Sequence, residues 1–169
     1  MKRWGIAVVA WGLLAIFSHA NTPISERYQA WIQRIPKEIN ITDYLSVVVI
    51  SEQKHYLFHN GELQAIYPVS TGSKTRYKGD RTMKEGLWRL GRKMDKDLAP
   101  IYGVRLIFME KYNPKTQTYK ETNLAFHGTN EPERIGSASS MGCVYHYDRD
   151  MLKLYDLLPR HSLILTVNQ

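Results

Sequence analysis

Asn60-Gly61 stands between two short apolar runs, and no other dipeptide constrains the fold of this chain so tightly. A two-residue hairpin loop needs positive φ at both central positions, which Asn-Gly supplies at little steric cost. His55 to Phe58 and Leu63 to Val69 are therefore expected to be partner strands. Leu45 to Ile50 is a continuous, largely β-branched run and is read as a strand before them. Leu87 to Leu90, Val104 to Met109, Asn123 to His127, Cys143 to His146 and Ser162 to Val167 complete the set. Thr71-Gly72, Lys78-Gly79-Asp80, Asn113-Pro114-Lys115 and Thr129 to Gly136 mark turns and loops. Two helices are expected. Ile24 to Ile35 places Tyr28, Trp31, Ile32 and Ile35 at helical spacing and ends before Pro36. The second opens at Asp148 as its cap, has Met151, Leu152, Tyr155 and Leu158 as its apolar face, and stops at Pro159. Many short strands without strand–helix–strand alternation predict a mainly β sandwich or barrel, with the N-terminal helix and the late helix packed outside.

Residues 1–20 are read separately from that fold. Lys2 and Arg3 precede an apolar run from Ile6 to Phe17, and Ser18-His19-Ala20 ends in small residues at the spacing of a cleavage site. This is the pattern of a signal peptide, and the run is short for a membrane span. An uncleaved anchor is the other reading, and both place the remainder outside the cytoplasm. Residues 21–43 are expected to form an N-terminal helical segment and 44–169 the main folded domain. The formal charge of +7 suits an anionic partner surface, such as wall or outer-membrane sugars. The basic residues between Lys74 and Lys96 are scattered and lack interleaved aromatics, which argues against nucleic acid as a partner.

The chain has one cysteine, Cys143. Exported proteins ordinarily use cysteines in disulfide pairs, and a lone one cannot staple its own chain. It is an inert buried thiol, a link to another molecule or a nucleophile. Its surroundings favour the nucleophile. His127 lies 16 positions upstream at the end of an expected strand, and the intervening loop is long enough to fold back. A free thiol, with a pKa of about 8.5, is mostly protonated at neutral pH, and a neighbouring imidazole can take its proton and hold the thiolate. Gly142 leaves room for a carbonyl to approach the sulfur. The amides of Met141, Gly142 and Cys143 could converge on the developing oxyanion. The imidazole needs a group that fixes its tautomer, and the Gly128 carbonyl is a candidate. Ser140 either bonds near the sulfur or closes a turn. Tyr102 and Gly103 fit a substrate-facing loop or a core tyrosine equally. His55, His59 and His161 have no ligand spacing and are read as sheet or surface residues.

Several of these residues fall into an ordered pattern: Pro68-Val69-Ser70-Thr71-Gly72, His127-Gly128-Thr129, Ile135-Gly136, Ser140-Met141-Gly142-Cys143, and Asp150-Met151 followed by Leu154-Tyr155. In this the chain resembles the YkuD-type L,D-transpeptidases of the peptidoglycan layer, over roughly Tyr44 to Val167. The resemblance implies a YkuD-like β fold and thiol acyl transfer. Cys143 would attack the diaminopimelate carbonyl of a tetrapeptide stem and D-alanine would leave. An amine from a second stem or a lipoprotein lysine would then resolve the thioester. Water as acceptor would make the enzyme a carboxypeptidase or endopeptidase. It implies no metal or organic cofactor, and acylation by carbapenems.

Three positions depart from the family pattern. Met141 stands where many members have histidine. Tyr145 stands where many have an arginine that helps bind a substrate carboxylate, which places Tyr145 at the site by alignment and leaves His146 and Arg149 as substitutes for the arginine. The family's threonine-proline turn appears as Thr82-Met83-Lys84-Glu85-Gly86, without proline. A non-catalytic wall-binding module that kept the fold is the alternative of a different class.

Overall fold

Among the described residues of this computed structural model, which are 22–41, 43–74 and 78–168, eight strands join in one sheet. The expected signal segment lies outside them. The strands are β1 (Tyr44–Val49), β2 (Lys54–His59), β3 (Glu62–Pro68), β4 (Gly86–Met94), β5 (Leu106–Asn113), β6 (Thr118–His127), β7 (Val144–Tyr145) and β8 (Leu163–Val167). Their order is β3-β2-β1-β8-β4-β5-β6-β7, and the sheet curls into a half-barrel. The mainly β expectation holds, as one curled sheet with a helix on each face.

The hairpin at Asn60-Gly61 forms with φ of 50° and 82° at the two residues, and β2 pairs antiparallel with β3 across it. Strand β1 is nearly all buried because it serves two cores. Val48 and Ile50 enter one core with Leu90, Ile107, Phe126, Val144 and Ile164. Val47 and Val49, on the alternate face, enter the other with Phe58, Leu163 and Leu165. A strand covered on both sides reads as a continuous apolar run rather than an alternating one.

Helix α1 (Ile24–Ile32) covers the second core through Trp31, which packs against Tyr56 and Phe58. It is anchored by Arg27, which donates to Glu52 at 2.5 Å and to Tyr56 at 3.2 Å. The sequence extends this helix to Ile35, but it ends three residues earlier. Pro36 disfavours helical backbone at the residue before it, and the chain turns through Gln33-Arg34 so that Ile35 still enters the core. Helix α2 (Asp148–Leu157) covers the first core with Met151 and Leu154, and Leu158 follows them there. Asp148 does not cap it. The cap position is Tyr147, and the Asp148 carboxylate instead accepts the Thr129 amide at 3.0 Å.

Three strands run longer than the sequence suggests. Strand β4 continues past Leu90 to Met94 through a bulge between Leu90 and Lys93, where Gly91 packs on the Glu110 carboxylate. Strands β5 and β6 extend as a polar hairpin to Asn113 and Thr118. There the register sets Glu110 against Glu121, and Arg89 and Arg92 supply the countercharges at 2.6 Å and 3.8 Å.

Candidate functional site

Strands β6 and β7 run parallel, with Phe126 beside Val144 and His127 beside Tyr145. Phe126 and Val144 point into the first core. Because side chains alternate along a strand, His127 and Tyr145 project from the opposite face, together with Ala125 and with Cys143 one step before β7. The register thus brings the two sequence-selected groups, Cys143 and His127, to one side of the sheet edge.

Cys143 is half-buried and lines a cavity of about 160 Å³ with Met94, Asp97, Leu98, Tyr102, Phe108 and Asn123. Its thiol has the Asn123 carbonyl as an acceptor at 3.9 Å. A larger groove of about 450 Å³, lined by Arg34, Thr82, Met83 and Lys84, shares no residue with this cavity and has neither a histidine nor a cysteine in its lining.

His127 is buried, with Nδ1 2.5 Å from the Gly128 carbonyl oxygen. A carbonyl only accepts, so Nδ1 carries the proton and Nε2 is left with its lone pair. The ring is held edge-on by Tyr102, at 5.1 Å, and on its other side by Tyr145, at 4.4 Å. Tyr102 is the residue that joins the two halves of the site, since it also lines the Cys143 cavity. It sits in a short 3-10 turn, Pro100–Tyr102, closed by Gly103 at φ 60°. A Cβ at Gly103 would stand 2.5 Å from the Thr129 amide nitrogen and 2.7 Å from the Gly128 carbonyl carbon. The sequence marked the Tyr102-Gly103 pair but not this close approach.

The cysteine loop is braced from a distant segment. Ser70 and Tyr145 exchange backbone hydrogen bonds at 2.8 and 3.0 Å, the Ser140 amide donates to the Thr71 carbonyl at 2.9 Å, and the Ser73 amide donates to the Ser140 carbonyl at 3.0 Å. Gln53 fixes Thr71 in turn, through bonds of 2.8 Å to its amide and to its hydroxyl. Ser140 closes the turn rather than facing the sulfur. Its hydroxyl donates to the Cys143 carbonyl at 2.6 Å and accepts the Gly142 amide at 3.1 Å. The Gly142 amide is thereby turned inward, which leaves Met141 and Cys143 as the two oxyanion candidates of the three. Met141 is exposed, and Tyr145 is buried against His127 rather than lining the cavity.

Burial sets the protonation states. It pushes the Cys143 thiol up to about 11 and the His127 imidazole down to about 4, the latter partly offset by the Gly128 carbonyl. At neutral pH both groups are uncharged and the proton rests on sulfur. Burial thus favours the uncharged form of each group.

His55 and His146 form a second imidazole contact, Nδ1 to Nε2 at 3.0 Å, and both are fully buried. His55 is a sheet residue, as read, but an interior one. His146 cannot replace the family's arginine, because it has no exposed surface with which to meet a substrate carboxylate. Arg149 lies on Tyr147, with its side chain 77% exposed. Burial pushes His55 down to about 3 and His146 well below its ordinary value, with the neighbouring imidazoles adding to the latter. The stability consequence follows by sign. A depressed folded pKa means that the unfolded chain takes up protons first, so stability falls as pH drops from about 6.5. His55 and His127 are each expected to remove about 2 kcal/mol between pH 6.5 and 5, and His146 acts in the same direction. Urea unfolding across that range measures this. A flat profile would mean that these rings are already charged in the folded protein.

The sequence model of the YkuD family, the L,D-transpeptidase catalytic domain, matches residues 43–165. The chain belongs to the L,D-transpeptidase family. Solved relatives share the fold. The Bdellovibrio bacteriovorus protein Bd1075 is 19% identical with a TM-score of 0.61, covering 80% of this chain and 51% of its own. L,D-transpeptidase 3 of Mycobacterium tuberculosis, solved with a faropenem-derived adduct, is 13% identical with a TM-score of 0.55, covering 74% and 60%. An Enterococcus faecium L,D-transpeptidase, solved as a cysteine-to-serine mutant, is 14% identical with a TM-score of 0.55, covering 75% and 50%. The chain therefore spans between half and three-fifths of the length of these relatives. No curated protein matches it. The family acts on cell-wall peptidoglycan. Among the described residues, no helix is long and apolar enough to cross a membrane.

Proposed function

We propose that this L,D-transpeptidase works outside the cytoplasm as a cysteine acyltransferase on tetrapeptide stems, with Cys143 as nucleophile and His127 as base. The observation that carries this reading is the β6–β7 register. It sets both groups on one face, while the Gly128 carbonyl commits Nδ1 and leaves Nε2 to accept a proton. The neutral resting state makes His127 a general base acting during attack. As the sulfur–carbon bond forms at the diaminopimelate carbonyl, the thiol proton passes to Nε2, and the amides of Met141 and Cys143 face the oxyanion. Collapse returns that proton to the D-alanine nitrogen and leaves a thioester. An amine of a second stem or of a lipoprotein lysine then attacks the thioester, gives up a proton through His127 and regenerates the thiol.

Hydrolysis of the same acyl-enzyme is the second reading, favoured by Tyr145. That residue offers no cation where many members have arginine, and it is packed against the imidazole. Incubation with tetrapeptide muropeptides separates the two. Cross-linked dimers support transfer, tripeptides alone support hydrolysis, and unchanged substrate counts against both. The faropenem-derived adduct of the Mycobacterium tuberculosis relative supplies an independent probe. Faropenem or a carbapenem is expected to leave a single covalent adduct on this protein, and none on a Cys143→Ala variant.

A further inference from the structure

The peptide that joins Gly128 to Thr129 is gripped at both ends. Its carbonyl accepts the His127 Nδ1 proton, and its N–H donates to Asp148 Oδ1 at 3.0 Å. A peptide unit is planar and trans, so its C=O and N–H point in opposite directions, and holding one sets the other. The hold is needed because strand β6 ends at His127. The sheet still fixes the preceding peptide groups: the Gly128 amide donates to the Arg105 carbonyl at 3.2 Å, and the His127 carbonyl accepts the His146 amide at 2.9 Å. The next peptide lies past that ladder, where glycine leaves the backbone free to turn, and both of its partners are side chains. The carboxylate is closely fitted to this place. A Cβ at Gly103 or at Gly128 would collide with the same oxygen, Asp148 Oδ1. Gly128 has no positive φ to call for glycine, so the space taken by the carboxylate accounts for it. The bland role for Asp148 is negative charge in the first turn of α2. A carboxylate turned to solvent would fill that role and would need neither glycine. Arg149 does not draw it away, since that guanidinium lies on Tyr147 and 3.7 Å from Asp150.

We infer that Asp148 is a positioning residue for the reaction: it sets the tautomer of His127 without touching the ring, by holding the intervening peptide so that the Gly128 carbonyl stays on Nδ1. The inference rests on the proposed function, in which Nε2 must be bare to take the thiol proton. Were the peptide to turn, Nδ1 would lose its acceptor, the proton could settle on either nitrogen, and part of the enzyme would have no base facing the sulfur. The bond from the Thr129 amide is charge-assisted, so Asp148→Asn keeps an acceptor of the same shape but a weaker hold.

The test reads the tautomer directly, by imidazole nitrogen NMR on substrate-free protein labelled at histidine, with the His127 signals identified by their loss in His127→Gln. At neutral pH the wild-type protein is expected to show Nδ1 protonated and Nε2 bare. In Asp148→Ala both signals should move toward a mixed value. Its kcat on tetrapeptide muropeptides should fall about tenfold while KM changes by less than about twofold. Asp148→Asn should restore the single tautomer and bring kcat to within about threefold of wild type. Asp148→Ser covers the case in which the alanine variant does not fold: it keeps a polar residue at the start of α2, with a side chain one bond too short for the Thr129 amide, and should behave as alanine does. Damage to folding alone would move neither the tautomer of the folded molecules nor the split between kcat and KM. The inference is overturned if folded Asp148→Ala or Asp148→Ser keeps the wild-type tautomer, if kcat survives the mixing of tautomers, or if Asp148→Asn is no better than Asp148→Ala. Failure of the functional reading shows elsewhere, as the absence of any muropeptide product from the wild-type protein, and the tautomer comparison stands without it.

Discussion

Replacing Cys143 by alanine is expected to lower muropeptide product formation by at least about a thousandfold, because the acyl-enzyme cannot form without the sulfur. Stability should change by no more than about 1 kcal/mol, since a half-buried thiol contributes roughly as a small hydrophobe. His127→Gln should lower turnover by about a hundredfold or more. The double variant should be no worse than Cys143→Ala alone, as nucleophile and base act as one unit. The pH profile adds a check that a structural role would not move. With the imidazole pushed down to about 4 and the thiol up to about 11, the rate should hold between those limits and fall on the acid side near pH 4. An acid limb near pH 6.5 would show that substrate-free burial of His127 does not persist in the reacting complex. A biological role that survives intact in Cys143→Ala would leave the non-catalytic wall-binding module as the surviving account.

How far this was legible in the sequence depends on whether the cause was local. The hairpin at Asn60-Gly61 was, because the φ requirement resides in those two residues. The return of the strand after Cys143 alongside the strand ending at His127 was also legible, as two strand ends joined by a loop that must come back. The bulge in β4 was not. Leu90 and Lys93 break the alternation only because β5 fixes their register, and nothing within the strand announces it. Asp148 has the composition of a helix cap, yet the nearby Thr129 amide takes its carboxylate and makes it a tether for the strand end bearing His127. His55 looked ordinary because its partner, His146, is 91 residues away. The Pro68 to Gly72 pattern was visible as a motif, while the reason for its glycine was not.

That reason yields the second large effect. Gly72→Ala is expected to destabilise the protein by about 3 kcal/mol and to lower activity at least about tenfold. Gly72 does not occupy the left-handed region, so any strain would come from space alone. A Cβ there would collide with the Arg81 carbonyl oxygen, stand 2.9 Å from its carbon and 3.0 Å from the Gly142 Cα. All three are backbone atoms, which cannot rotate aside as a side chain would. Arg81 is further pinned by its amide, which donates to the Ser73 carbonyl at 3.2 Å. Gly142 has φ 120°, and on the side its own Cβ would occupy it faces the Leu124 side chain, which must rotate before the glycine can retreat. The displacement must pass into Gly142-Cys143, which moves the sulfur relative to His127. Gly79→Ala is the control. It places a methyl at φ 86° with no atom within 4 Å, so it carries backbone strain of about 1 kcal/mol and no push on the cysteine loop. Equal stability and equal turnover in the two variants would mean that the Thr71-Gly72 segment yields under load and does not position the nucleophile.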